Sequence, residues 1–255
     1  MSTHAGASLG ASICPACLAR LEALPDLELL RSIATEPRVP PGFETSHRLC
    51  SSCLTVCGAD ARHDRVCVIG RAGLRIAVAG WTSGLTEALR ADLRTEAPSA
   101  AGLLERAFTI LVRPLIEGRD RSSIGIVPVP MASSKGNPSG LGLLARRLGE
   151  VLGIPVVEAV ERSKRGSTRG SVAQGRERIV REEYSVVATR LREIVSREVL
   201  LIDDMITTGH TVSGVARLLL SGGAAAVFPI ALDRTASQRV LQRLASIAPN
   251  HCPHR

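Results

Sequence analysis

An α/β architecture with a mainly parallel sheet is the fold class this sequence predicts, and three observations predict it. From Arg65 onward, short apolar runs alternate with stretches of helical periodicity. Aromatic residues make up only 2% of the chain, so the core must be built from Leu, Val, Ile and Ala, which suits helices packed on a parallel sheet. Residues 199–202 (Val-Leu-Leu-Ile) form an unbroken apolar run, as expected of a strand buried on both faces.

Taken in order, residues 18–33 have helical spacing, with Leu21, Leu24, Leu27, Leu30 and Ile33 apolar and Pro25 breaking the period or starting a second helix. A loop rich in proline follows (Pro37, Pro40, Pro41, then Gly42). Residues 66–69 and 74–81 read as strands of a hairpin turning at 70–73. Helices are expected at 83–94, capped by Ser83 or Thr86, and at 101–116, with Gly118 behind. A strand at 124–129 precedes a helix at 140–152, and a strand at 154–160 contains Pro155. Beyond a basic loop come strands at 184–188 and 199–202, a helix at 212–220 ended by Gly222-Gly223, a strand at 224–232 and a helix at 237–247. No internal repeat is visible. Composition divides the chain into a cysteine-rich module at 1–62 and an α/β domain at 63–255.

Charge and hydropathy narrow the function classes. The chain has 255 residues, 32 basic and 24 acidic, for a formal net charge of +8. Lys135 and Lys164 are the only lysines. Residues 162–181 hold seven basic side chains against one acid, Glu177, a pattern that suits an anionic partner and equally suits a solvated loop. The scarcity of aromatics argues against a stacking platform for nucleic-acid bases. Residues 1–12 lack the basic-then-apolar pattern of a secretory signal. The most apolar stretch, 107–116, is interrupted by Arg113 and Pro114 and is too short to span a bilayer. The expectation is a cytoplasmic protein whose cysteines are reduced thiols or metal ligands.

The most informative run follows the buried strand: Asp203, Asp204, Met205, Ile206, Thr207, Thr208, Gly209, His210, Thr211. A buried parallel strand delivers its last residues to the carboxyl edge of the sheet, where ligands bind in open α/β folds. The turn then enters a helix N-terminus, with unpaired N–H groups and a partial positive charge. Gly209 allows close backbone approach, and the threonine hydroxyls add donors. The combination makes a nest for a phosphate. Two adjacent carboxylates at its rim can take hydrogen bonds from vicinal sugar hydroxyls or hold a hydrated Mg²⁺. A capped acidic strand end would account for one Asp and one Thr, but not for this whole sequence of residues. Upstream, residues 126–136 form a second strand entering a polar turn, where Ser133, Ser134 and Lys135 suit a diphosphate.

Two CxxC knuckles, Cys14/Cys17 and Cys50/Cys53, supply four thiolates of the kind that hold a structural Zn²⁺. A small segment with little core of its own would gain folding energy from such a metal. Cys57 is a substitute ligand, Cys67 reads as core, and Cys252 lies in a tail between His251 and His254.

Residues 199–211 resemble the phosphoribosyl pyrophosphate (PRPP) signature of type I phosphoribosyltransferases. Together with an N-terminal CxxC…CxxC module, which resembles a zinc ribbon, they make the chain similar to the ComF family of competence-associated, phosphoribosyltransferase-like proteins. The resemblance implies a type I phosphoribosyltransferase fold, with Asp203 and Asp204 facing the ribose hydroxyls and Thr207 to Thr211 wrapping the 5′-phosphate. It implies Mg²⁺ with PRPP, structural Zn²⁺, and transfer of phosphoribosyl to a nitrogen nucleophile with release of pyrophosphate. The basic loop at 162–181, with Arg176 or Arg178 as contacts, would close over the site. Where ComF members carry an Arg-Gly-Phe-Asn-Gln-like stretch, this chain has Lys135, Gly136, Asn137, Pro138, Ser139 and Gly140. Two further readings stand beside this one: a non-catalytic DNA-uptake accessory that binds single-stranded DNA or a helicase partner, and a nucleobase-salvage phosphoribosyltransferase with a base pocket near Asp233 and Arg234.

Overall fold

Pro25 divides the first helical period in two, giving α1 (Pro15–Glu22) and α2 (Asp26–Ile33). Its own backbone is extended (φ −58°, ψ 154°) and cannot continue a helix. The computed structural model describes residues 15–34, 39, 47–54, 56–58, 67–93, 100–131, 140–162 and 183–235. A two-stranded antiparallel ribbon follows, β1 (His47–Leu49) with β2 (Val56–Gly58), and the turn between them carries Cys50 and Cys53.

The hairpin expected around residues 70–73 is absent. Residues Val68–Arg71 form one helical turn, α3, because the Cys67 sulfur takes the place of a capping oxygen and accepts from Gly70 N. The strand β3 (Ala77–Trp81) starts later than predicted and lies at one edge of the main sheet. The helix α4 (Gly84–Asp92) opens on a full capping box: Ser83 Oγ accepts from Thr86 N, and Thr86 Oγ1 accepts from Ser83 N. Next come α5 (Ala101–Ile116), β4 (Ile124–Pro128) and α6 (Gly140–Leu152). The strand expected at 154–160 shrinks to a single bridge, Ile126 with Val156, since Pro155 has no N–H for a ladder. A ribbon of β5 (Val160–Arg162) and β6 (Tyr184–Val186) is antiparallel, and the short helix α7 (Ala188–Leu191) follows it. The chain then enters β7 (Glu198–Ile206), α8 (His210–Ser221) and β8 (Ala226–Arg234). The helix expected at 237–247 lies outside the described residues.

The main sheet has the order β3-β8-β7-β4, and every pairing in it is parallel. All four strands therefore end at one edge, at Trp81, Arg234, Ile206 and Pro128. Side-chain alternation along the strands separates two cores. Ile126, Leu200, Ile202, Ile230 and Leu232 pack with α2, α4, α5 and α6 on one face. Val127, Val199, Leu201, Val227 and Ala231 pack with α3 and α8 on the other. Both faces are covered, which is why the central strands read as continuous apolar runs.

Of the segment expected as a separate N-terminal module, α1 and α2 pack into the first core, through Leu21, Leu29 and Ile33. Arg106 on α5 ties them down, with Nε donating to Asp26 Oδ1 at 2.8 Å and an NH group to Glu22 O at 2.9 Å. The cysteine turn packs on the opposite face and is fixed to β3: Ile76 N donates to Ser52 O at 3.1 Å and Trp81 Nε1 to Leu54 O at 3.1 Å. Among the described residues, no helix is long and apolar enough to cross a membrane.

Candidate functional site: a phosphate loop backed by cysteines

The strand β7 is longer than its apolar run. It continues through Asp203 and Asp204 to Ile206, so both acids sit on the strand where it passes the neighbouring chain ends. Asp203 is buried and pairs with Ala231 of β8, whereas Asp204 is half-buried. Asp204 N donates to Asp203 Oδ1 at 2.9 Å. Burial, with the charge of Asp204 beside it, pushes the Asp203 carboxyl well above the ordinary carboxylate range.

Thr207 and Thr208 are exposed at the sheet edge, and Thr208 Oγ1 lies 2.8 Å from His210 Nδ1. Gly209 is the residue before α8 and has φ +83°, which a side chain would strain. It also has no room: a Cβ there would fall 2.5 Å from Ile69 Cγ1 of α3. At Gly209 the loop enters the first turn of α8, a 12-residue helix whose N-terminus carries the partial positive charge of the helix dipole. Arg234, at the end of β8, supports the loop from behind, with a guanidinium N–H donating to Thr207 O at 2.9 Å. Burial lowers the Arg234 basicity, and Cys53, Cys67 and Cys50 act in the opposite direction.

A buried polar group lies on the neighbouring strand β8. Asp233 pairs with Met205 across the β7–β8 ladder and is fully buried. Its Oδ1 is 3.7 Å from an Arg90 nitrogen on α4, and Arg90 also meets the Met205 sulfur. Burial pushes Asp233 above its ordinary value. The two residues guessed as a base pocket thus face different partners: Arg234 the phosphate loop, Asp233 the helix α4.

Three sulfurs, those of Cys50, Cys53 and Cys67, lie within 4.8 Å of one another, all buried. Of the expected ligands Cys14, Cys17, Cys50 and Cys53, the structure brings Cys50 and Cys53 together. Cys67 is not merely core, because its sulfur joins the Cys50/Cys53 pair. Cys14 and the side chain of Cys17 lie outside the described residues. Cys57 donates to Arg48 O at 3.4 Å instead of joining the group. Sequence spacing could not single out Cys67, because the fold brings it in from fourteen positions beyond Cys53, at the cap of α3.

The sulfur geometry fits a tetrahedral soft metal. Cys50 Sγ and Cys67 Sγ are 3.8 Å apart. Two sulfurs each about 2.3 Å from a tetrahedral zinc would be about 3.8 Å apart. Burial works against ionising Cys50, but backbone hydrogen bonds from Cys53 and Ser52 outweigh it and hold this thiol below its ordinary value. Burial pushes the Cys67 thiol up to about 12. Burial penalises the charged thiolates that a metal requires, and a bound divalent ion offsets that penalty.

Ser133, Ser134 and Lys135 lie outside the described residues, as do Arg176, Arg178 and most of the basic loop. Its two anchors are described: Arg162 pairs with Glu183 and lies 5.8 Å over the Tyr184 ring. The β5–β6 ribbon that bears them packs against α8 through β6. Tyr184 is buried, which pushes its hydroxyl up to about 12.

The parallel sheet flanked by helices, with the 207–211 turn at its carboxyl edge, has a type I phosphoribosyltransferase fold. Residues 138–242 match the phosphoribosyl transferase domain family. Solved structures similar to the chain include a phosphoribosylpyrophosphate synthetase from Mycobacterium smegmatis (22% identity over 57% of this chain and 37% of that one, TM-score 0.33). Others are the allosteric regulatory enzyme of purine biosynthesis (21% identity, 52% and 25%, TM-score 0.34) and an adenine phosphoribosyltransferase (16%, 55% and 80%, TM-score 0.36). The chain thus spans well under half the length of the first two. No curated protein sequence matches the chain significantly.

Proposed function

We propose that this chain binds PRPP through its phosphate loop and, in the manner of the ComF family that its sequence resembles, acts in DNA uptake. The observation that carries the PRPP reading is the continuity of β7, Asp203, Asp204, the glycine turn at Gly209 and the N-terminus of α8. In this reading Thr207 to Thr211 hold the 5′-phosphate and the two acids take the ribose hydroxyls. Mg²⁺ with PRPP neutralises charge on the leaving pyrophosphate. The protein's share of the reaction is positioning. The acids fix the ribose, the loop fixes its 5′-end, and the anomeric carbon is left toward the open edge where a nitrogen nucleophile displaces pyrophosphate. Ser133, Ser134 and Lys135 are assigned to the pyrophosphate, and the basic loop between β5 and β6 to a cover over it.

Titration calorimetry of Mg²⁺-PRPP into the wild type and into the Asp203→Asn/Asp204→Asn double variant tests this. Binding by the wild type that the variant loses is the expected result. No binding by the folded wild type would sink it.

We assign structural Zn²⁺ to Cys50, Cys53 and Cys67, with the fourth position completed by Cys14, Cys17 or water. A second reading, a non-catalytic accessory that binds single-stranded DNA or a helicase partner, is favoured by one observation: seven basic residues against one acid in 162–181.

A further inference from the structure

Two buried residues support the turn at 207–209. The first is Ile69. Cys67 caps α3 and Ile69 is the second residue of that helix, fully buried and pressed against Gly209 so closely that a Cβ on the glycine would overlap it. α3 also packs against α8, the helix that the loop begins. The second is Arg234, which is buried and donates to Thr207 O at 2.9 Å. The two reach the loop at Gly209 and Thr207, on either side of Thr208, and Ile69 is the one that joins it to the cysteine cluster, through α3.

We propose that the Cys50–Cys53–Cys67 site is a support for the phosphate loop whose filling by a thiophilic divalent cation is energetically linked to phosphoribosyl binding, with Ile69 as the positioning residue that carries the link. The proposal rests on the PRPP reading above. The physical reason is that the cysteines belong to two separate segments, the 50–53 turn and the start of α3. A metal bound to both fixes where Cys67 sits, hence where α3 and Ile69 sit, hence the turn at Gly209. Arg234 fixes the other side of the same turn through Thr207 O. A chain without the metal loses the restraint at Gly209 and must order the loop when the ligand arrives, which weakens binding. Linkage makes the effect reciprocal: ligand on the loop must tighten the metal by the same factor.

The test uses the full chain with Zn²⁺ and Mg²⁺-saturated PRPP. Calorimetry on the zinc-loaded and chelator-stripped protein is expected to show affinity about 5–150-fold lower after stripping. Release of zinc from the loaded wild type to pyridylazoresorcinol, followed by absorbance, is expected to slow several-fold in the presence of Mg²⁺-PRPP. This second measurement decides the matter even where the stripped chain does not stay folded. Ile69→Ala, which opens the contact with Gly209, is expected to retain its zinc, bind Mg²⁺-PRPP more weakly, and show a smaller effect of Mg²⁺-PRPP on zinc release. Ile69→Val, which keeps the Cγ1 contact, is expected to restore part of that effect. Unchanged zinc release with Mg²⁺-PRPP bound, or equal affinities of the folded loaded and stripped chains, would overturn the linkage while leaving the PRPP reading intact. Zinc-loaded protein that binds no Mg²⁺-PRPP would sink the PRPP reading and the linkage with it. A chain that takes up no zinc would overturn the linkage alone.

Discussion

Ile69 of α3 occupies the space that a side chain on Gly209 would need, with Cγ1 2.5 Å from the position of a Cβ. The glycine is therefore required twice, once for its φ of +83° and once for the contact. Gly209→Ala is expected to destabilise the chain by about 2–4 kcal/mol, the left-handed backbone and the overlap together. It is also expected to abolish Mg²⁺-PRPP binding. Adding Ile69→Ala should recover part of the stability, so a urea double-mutant cycle with no coupling would contradict the contact.

Asp203 is predicted to lower stability at neutral pH for the sake of its site. Its folded pKa is raised above the unfolded value, so the folded chain prefers the protonated acid. That preference is present in full below about pH 4 and is lost as the pH rises through the raised folded value. Asp203→Asn should then melt higher than the wild type at pH 7–8, by on the order of 2–4 °C for each kcal/mol relieved, with the difference closing at acid pH. Thermal melts across pH check the sign, and calorimetry should show the same variant unable to bind Mg²⁺-PRPP.

Cys67→Ser is expected to lower the zinc content of purified protein, and Cys57→Ser to leave it near the wild-type level, because the Cys57 thiol bonds Arg48 O instead of facing the cluster. Atomic absorption on both variants separates this ligand set from one that uses Cys57.

Ser83 joins two elements. Its hydroxyl accepts from Thr86 N and donates to Ile33 O at 2.7 Å, capping α4 and tying it to the end of α2. Ser83→Ala should cost about 1–2 kcal/mol by urea unfolding with PRPP affinity little changed.

Replacing the arginines of 162–181 by glutamine bears on the second reading. If that segment holds single-stranded DNA, affinity should fall with rising salt and the slope should shrink as charges are removed. A slope indifferent to these charges would exclude the segment as the DNA contact.

The local code of the chain determined much of this. The run from Val199 to Thr211 marks both the buried strand and the loop after it, because burial on two faces demands unbroken apolar residues and a phosphate nest demands glycine and hydroxyls in sequence. Pro25 and Ser83 set helix boundaries by chemistry confined to a few residues. The tertiary structure decided the rest. Strand order β3-β8-β7-β4 brings Arg234 under Thr207 and Asp233 beside Met205, pairings that no local pattern encodes. Residues 66–69 looked like a strand because Val and Ile favour one, but the Cys67 cap and burial against α8 made residues 68–71 a helical turn. That turn is what carries Cys67 into the cysteine cluster and Ile69 onto Gly209. A sequence states which side chains can hold a metal or a phosphate, but only packing states which of them meet.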